Sequence, residues 1–222
     1  MAEDDPSGRV LDVVEPGPDL SPEEEDSGPL LDRLSRVRSN LERERAEAPG
    51  LVAELLSLQP ERCVEELQRQ ARYHTWGVCD LLLARSAEAA DPAESGRLAA
   101  LTLAGAERLD PAQHASAVVE DLKARAWAAA GDARRRRGEL ARAEEALRAA
   151  AACLAQGTGD LLVDARLLEF EAALRRQQGR IREAAALLKM AAARYRETGE
   201  MQLCERALAE REEILRQERA IS

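Results

Sequence analysis

The stretch Gly138-Glu139-Leu140-Ala141-Arg142-Ala143-Glu144-Glu145-Ala146-Leu147-Arg148-Ala149-Ala150 is met again further on as Gly179-Arg180-Ile181-Arg182-Glu183-Ala184-Ala185-Ala186-Leu187-Leu188-Lys189-Met190-Ala191. Five positions carry the match: Gly138 and Gly179, Leu140 and Ile181, Ala143 and Ala184, Leu147 and Leu188, Ala150 and Ala191. All share one displacement (179 − 138 = 41; 191 − 150 = 41). A fixed displacement of this size marks a repeated supersecondary unit. The residue types say which unit. Glycine accepts the left-handed turn between two helices, the Leu and Ile positions lie on one helical face, and the small Ala residues stand where the second helix crosses the first. The stretch therefore predicts antiparallel helical hairpins.

Composition agrees with that reading. Hydrophobic residues make up 45% of the 222 residues but aromatics only 2%, so the apolar content is mainly Ala and Leu, strong helix formers. The β-branched and aromatic residues that sheets prefer are scarce. No run reaches the roughly 18 apolar residues of a membrane span, and the N-terminus is acidic where a secretory signal would be basic and then apolar. These features predict a cytoplasmic protein with no membrane contact. Cys63, Cys79, Cys153 and Cys204 are far apart, show no metal-site spacing and read as reduced core residues.

The charge is unevenly placed. Residues 1–28 hold ten acids against Arg9 alone, or −9, so the rest of the chain carries −10 − (−9) = −1. A near-neutral body with an acidic arm gives no support to nucleic-acid binding, which needs a basic surface to displace counterions from phosphate. Acids, Gly and Pro with few large apolar groups predict a disordered tail over 1–28, interrupted by a short patch of Val10, Leu11, Val13 and Val14.

A first helix is expected from Pro29, with Leu30, Leu31, Leu34, Val37 and Leu41 on its stripe and Pro49-Gly50 as its end. Helices around 50–58, 60–73 and 75–90 follow. Asp91-Pro92-Ala93-Glu94 reads as an N-cap with a capping-box glutamate, and Asp110-Pro111 repeats the punctuation. Later breaks fall at Gly138, Gly157-Thr158-Gly159-Asp160, Gly179 and Gly199. Residues 75–110 read as a degenerate hairpin with Gly96 and Ala100 in the repeat positions. The last segment, with Leu203, Leu208, Ile214 and Leu215, reads as a capping helix. The expected fold is all-α: an acidic tail (1–28), N-terminal helices packing on or extending the array (29–75), and a helical-hairpin solenoid (76–222).

The segment from Ala126 to Ala150 resembles a tetratricopeptide repeat. Trp127, Gly131, Gly138, Ala143 and Ala150 stand at that family's signature positions, and the second copy keeps Gly179, Ala184 and Ala191 with Leu168 for Trp and Ala172 for the first Gly. The 41-residue period exceeds the family's usual 34, which implies longer helices or loops. Residues 42–49, 75–83 and 119–127 are also similar to those of a group of uncharacterised bacterial repeat proteins. Some of that group carry a zinc-binding anti-sigma-like or DNA-binding module; residues 1–28 here contain no Cys or His. The family resemblance implies a non-enzymatic protein-binding scaffold. The bacterial group implies a transcription-linked regulator that sequesters a partner, and a third reading is an accessory subunit of an enzyme encoded elsewhere.

In such arrays the inner helices of successive hairpins line a binding groove. Counting from Trp127 gives Arg125, Ala128, Asp132, Arg135 and Arg136 as exposed groove positions; the second copy gives Arg166, Glu169, Ala173, Arg176 and Gln177. Five arginines on one face predict recognition of an acidic protein segment through guanidinium-carboxylate pairs. The alternative is a solvated charged face, because Arg134-Arg135-Arg136-Arg137 spans a full turn and cannot point wholly inward. The acidic tail is a natural competitor for such a groove. The Leu-rich stripe of the first helix leaves a homodimer open.

Catalytic residues are few. His74 and His114 are the only histidines, and each reads as a packed or surface residue. In Glu65-Glu66, Glu144-Glu145 and Glu212-Glu213, adjacent carboxylates on a helix diverge. Gly157-Thr158-Gly159-Asp160 lacks the lysine and the preceding strand of a phosphate loop and reads as a helix stop with an N-cap. Neither a cofactor nor a metal is expected.

Overall fold

A computed structural model describes the backbone of residues 28–221, and the chain divides into two units, Met1–Arg36 and Val37–Ser222. The expected acidic tail and its valine-leucine patch lie outside the described residues. Among the described residues all regular structure is helical: α1 (Gly28–Leu56), α2 (Pro60–Arg69), a 3-10 turn (Ala71–Tyr73), α3 (Trp76–Glu88), α4 (Pro92–Ala106), α5 (Ser116–Arg136), α6 (Leu140–Leu154), α7 (Leu161–Gln177), α8 (Ile181–Glu197) and α9 (Met201–Ile221). In the first unit, residues 28–36 form the opening turns of α1, and Leu31 and Leu34 are exposed.

The second unit is built from the turns that the glycines mark. Gly138 and Gly179 adopt left-handed φ values of 79° and 76°, a conformation glycine takes without a Cβ penalty. The bond closing each turn is the same in both copies: Glu139 N donates to the Arg134 carbonyl at 3.0 Å, and Arg180 N to the Arg175 carbonyl at 2.9 Å. Such a bond satisfies a carbonyl that the helix end would otherwise leave without a donor. Only residues 137–139 and 178–180 separate the helices, so α6 returns along α5 and α8 along α7. Gly199, φ 80°, turns α8 into α9 in the same way.

Packing repeats with the same displacement. A Cβ on Gly131 would come within 2.9 Å of Leu147, so α5 and α6 touch at that point. Ala172, which stands 41 residues later, shares a buried cluster with Ala184 and Leu188. The core is a succession of local clusters. Ala48, Val52, Leu55, Leu67 and Leu82 join α1 to α2 and α3. Cys79, Leu83, Leu122 and Ala126 join α3 to α5. Ala143, Leu147, Leu167 and Leu174 join α6 to α7, and Ala192, Tyr195, Cys204 and Ala207 join α8 to α9. Each helix is buried by neighbours close in sequence, the arrangement in which stability adds repeat by repeat.

Several local expectations are corrected. Helix α1 does not stop at Pro49 but runs through it to Leu56. Proline removes the donor for the Arg45 carbonyl, yet both residues are exposed, so water can serve that carbonyl. Ala48, Val52 and Leu55 bury one continuous stripe that rewards the longer helix. Helix α2 ends at Arg69, before the expected residue 73. Asp91 caps α4 as expected, accepting from Ala93 N at 3.0 Å, but the Glu94 carboxylate turns to Arg97 in a two-pronged contact, both bonds 2.7 Å. Asp110-Pro111 opens a turn and not a helix: Asp110 accepts from Ala112 N at 2.9 Å and from Gln113, and α5 starts only at Ser116. Gly96 lies within α4, so the α3–α4 turn falls earlier, at residues 89–91. Asp160 caps α7 by accepting from Leu162 N at 2.8 Å.

Two buried carboxylates tie distant segments together. Glu44 of α1 accepts from Trp76 N at 2.7 Å and Gly77 N at 3.4 Å, satisfying the free N–H groups at the start of α3, with His114 Nε2 3.7 Å away. Asp121 of α5 accepts from Thr158 N at 3.1 Å and Thr158 Oγ1 at 2.5 Å, fastening the α6–α7 loop.

Candidate functional site

The groove positions expected from the sequence come together as one wall along α5 and α7. Arg125 is exposed and lies 3.6 Å from Asp80 of α3. Asp132 receives Arg135 at 2.8 Å and Arg136 at 3.2 Å. Arg135 also reaches across to Gln177 of α7 at 3.2 Å. Arg136 extends to the carbonyls of Ala89 and Ala90, both 3.4 Å. On α7, Arg166 donates to Glu169 at 3.0 Å. Arg176 continues the row to α9, 3.4 Å from Gln217 and 3.8 Å from Glu210. Ala173 is half-buried between them. Ala128 is only 4% exposed: it packs with Leu147 and Leu167 and at the same time lines the apolar slot beside Arg125 and Arg166.

Glu169 collects three donors. Besides Arg166 it accepts from Tyr195 of α8 at 2.9 Å and Arg206 of α9 at 3.1 Å. Burial, then the adjacent Glu169 carboxylate, push the Tyr195 hydroxyl far above the ordinary tyrosine value, so it stays protonated and donates. The network holds α7, α8 and α9 in one register.

Two depressions interrupt the wall. One, about 180 Å³, is an apolar slot between Leu83 and Ala87 of α3, Ala129 of α5, and Val163 and Phe170 of α7, with Arg125 and Arg166 also in its lining. The other, about 430 Å³, is polar and is lined by Arg135, Ala173, Arg176, Gln177 and Glu210. Sequence reasoning missed Asp80, Phe170, Arg206, Glu210 and Gln217. Extending the 41-residue period once more would have found two of them, because Gln217 follows Arg176 and Glu210 follows Glu169 at that displacement (217 − 176 = 41; 210 − 169 = 41).

The arginine run divides between two faces of α5. Arg135 and Arg136 serve the wall. Arg134 lies over the Trp127 ring, 6.0 Å from its centroid, and Arg137 pairs with Glu139 at 2.9 Å. Every wall arginine expected from the sequence therefore has a carboxylate or amide neighbour. The wall carries paired charge and not a bare cationic surface.

The histidines are engaged elsewhere. His74 Nε2 is 2.8 Å from the Leu67 carbonyl, and His114 is buried against Glu44 and the Trp76 ring. Cys63, Cys79, Cys153 and Cys204 are unpaired by disulfide, and burial pushes the Cys79 thiol up to about 12. Among the described residues no three His, Cys, Asp or Glu side chains gather as a metal-ligand set, and no helix is long and apolar enough to cross a membrane. In comparisons with known proteins, no family model, no curated protein and no solved structure matches the chain.

Proposed function

We propose that the chain is a tetratricopeptide-like helical-repeat module, cytoplasmic and non-catalytic, that holds a segment of a partner protein against the wall formed by α3, α5 and α7. The observation that carries this reading is the slot between the three helices, with Arg125 and Arg166 beside an apolar floor that includes Phe170. Backbones in the wall are helical and keep their hydrogen bonds to themselves, so recognition rests on side chains. An apolar side chain placed in the slot gains roughly 1.5–3 kcal/mol by leaving water. An acidic residue beside it competes with Asp80 for Arg125 or with Glu169 for Arg166, which orients the segment. The engagement of both histidines in packing supports the non-catalytic part of the reading.

A photo-reactive amino acid in place of Arg166 tests it. In extracts of the native cell it should form a covalent adduct with a protein, and Ala129→Glu, which puts a charge in the slot, should abolish that adduct. The same probe in place of Lys189, on an exposed face of α8, should give none. Equal labelling from both sites, or labelling indifferent to Ala129→Glu, would remove the wall from consideration.

A further inference from the structure

Helix α5 has a second face, and it too borders a depression. Between α4 and the α5–α6 hairpin lies a groove of about 630 Å³. Its α4 side is a stripe of small residues, Ala93, Gly96, Ala100 and Ala104, following one another at 3, 4 and 4 residues (96 − 93, 100 − 96, 104 − 100). Its α5 side presents Trp127, Ala130 and Arg134, spaced by 3 and 4 (130 − 127, 134 − 130). Both spacings are those of a face that receives another helix, and small residues let backbones approach closely.

Arginines outnumber carboxylates here as they do on the wall, but one of them, among the described residues, has no carboxylate beside it. Arg97, Arg134, Arg137 and Arg142 line the groove against Glu107 and Glu139. Arg97 is held by Glu94, while Glu139 is shared by Arg137 and Arg142 at 2.9 and 3.5 Å. Even with Glu94 counted, four guanidiniums face three carboxylates. Arg134 has no carboxylate partner among the described residues; it rests on the Trp127 ring and donates to the Arg142 carbonyl at 3.4 Å.

We propose that this groove is a docking site for an amphipathic helix with acidic flanks, contributed by a partner protein and independent of the α3–α5–α7 wall. An extended segment would bring backbone N–H and C=O groups against helices that offer no free partners, whereas a helix satisfies its own. The small stripe of α4 admits the apolar face of the incoming helix, Trp127 covers its side, and its carboxylates reach Arg134 and the Arg137–Arg142 pair, which share a single glutamate.

The test uses the full-length chain and a fluorescent peptide of about 20 residues, long enough to be helical, with Ala and Leu on one stripe and Glu on both flanks. A second peptide has Lys in place of Glu. Fluorescence anisotropy should show saturable binding of the Glu peptide, weakening with added salt, and none of the Lys peptide. Ala100→Trp, which fills the groove at an exposed position, and Arg134→Glu should each weaken binding by about tenfold or more, while Arg166→Glu on the opposite wall should leave it unchanged. No binding of the Glu peptide, equal binding of the two peptides, or binding lost with Arg166→Glu but kept with Ala100→Trp would each overturn the proposal. So would a peptide-free dimer in sedimentation that Ala100→Trp dissolves, because the occupant would then be a second copy of the chain.

Discussion

The Asp121 latch allows a prediction whose sign and size both follow from geometry. Asp121 is 8% exposed and accepts from the Thr158 amide at 3.1 Å and hydroxyl at 2.5 Å. Hydrogen bonds to a charged group contribute about 1.5–3 kcal/mol each. Thr158 is itself exposed, so water replaces part of the loss, and Asp121→Ala should cost roughly 2–3 kcal/mol. Gly157 sits against the same carboxylate: a Cβ there would lie 1.9 Å from Asp121 Oδ1. Its φ is not in the left-handed region, so the backbone conformation admits an alanine, whose main clash is with Asp121. Gly157→Ala must push the carboxylate off Thr158 and should cost about the same, roughly 2–3 kcal/mol. In the double variant the clash is gone, the Leu154 carbonyl at 3.2 Å being the next neighbour, so the total should stay near roughly 2–3 kcal/mol in place of the roughly 4–6 of an additive pair. Urea unfolding followed by circular dichroism measures all three. With about 2–4 °C of Tm per kcal/mol for a domain of this size, Asp121→Ala alone should lower Tm by about 4–12 °C. Costs that add to within about 0.5 kcal/mol would refute the reasoning, because they would mean that Gly157 and Asp121 do not share the space.

Two further outcomes follow. Gly77→Ala would place a Cβ 2.3 Å from the Glu44 backbone carbonyl, where no side chain can swing aside, so it should destabilise more than Glu44→Ala, itself worth roughly 1.5–3 kcal/mol for the lost α3 cap; a milder effect in thermal unfolding would show that α1 and α3 are not in close contact. Burial raises the Glu171 carboxyl above its ordinary value, with Arg175 opposing. The folded state thus keeps that proton to higher pH than the unfolded state, and stability falls as pH rises through the interval above the ordinary glutamate value. Glu171→Gln should accordingly raise Tm at pH 7, with the gain shrinking to nothing by about pH 4; a gain that persists in acid would rule out the titration as its cause.

What the sequence disclosed and what it concealed divide by range. The Gly138 and Gly179 turns were legible because a left-handed turn is a local demand met by one residue type, and the Ala143 and Ala184 crossings because small side chains recur wherever backbones meet. The route of α1 through Pro49 was not legible: a proline's local cost is visible in the sequence, while the burial of Ala48, Val52 and Leu55 that outweighs it depends on α2 and α3 being in place. Asp110-Pro111 misled for the complementary reason, since a capping aspartate serves a turn as well as a helix. The period spaces Arg125, Arg135, Arg166 and Arg176 along α5 and α7, but the near-complete covering of Ala128 was not legible, because period alone fixes the angle around a helix and not the depth to which a neighbour covers it. Of the arginines' partners on other helices, Glu210 and Gln217 lie one further period along the chain, while Asp80 of α3 has no such signal in the sequence.

Those partners decide what the two faces of α5 can discriminate. On the wall, each arginine already faces a carboxylate or an amide at 2.8–3.8 Å, so an incoming acid exchanges one ion pair for another at or near the surface. Such pairs contribute about 0–1 kcal/mol, less than a single apolar side chain entering the slot beside Phe170 at roughly 1.5–3 kcal/mol. Shape in the slot must then govern affinity there, with charge fixing orientation, and binding at the wall should respond weakly to salt. On the other face, Arg134 has an aromatic ring and a carbonyl for company and, among the described residues, no carboxylate, so an acid arriving there forms a pair without breaking one. Ligands of the two faces are thereby separable by ionic strength alone: the helix in the α4–α5 groove should be the one that salt releases first.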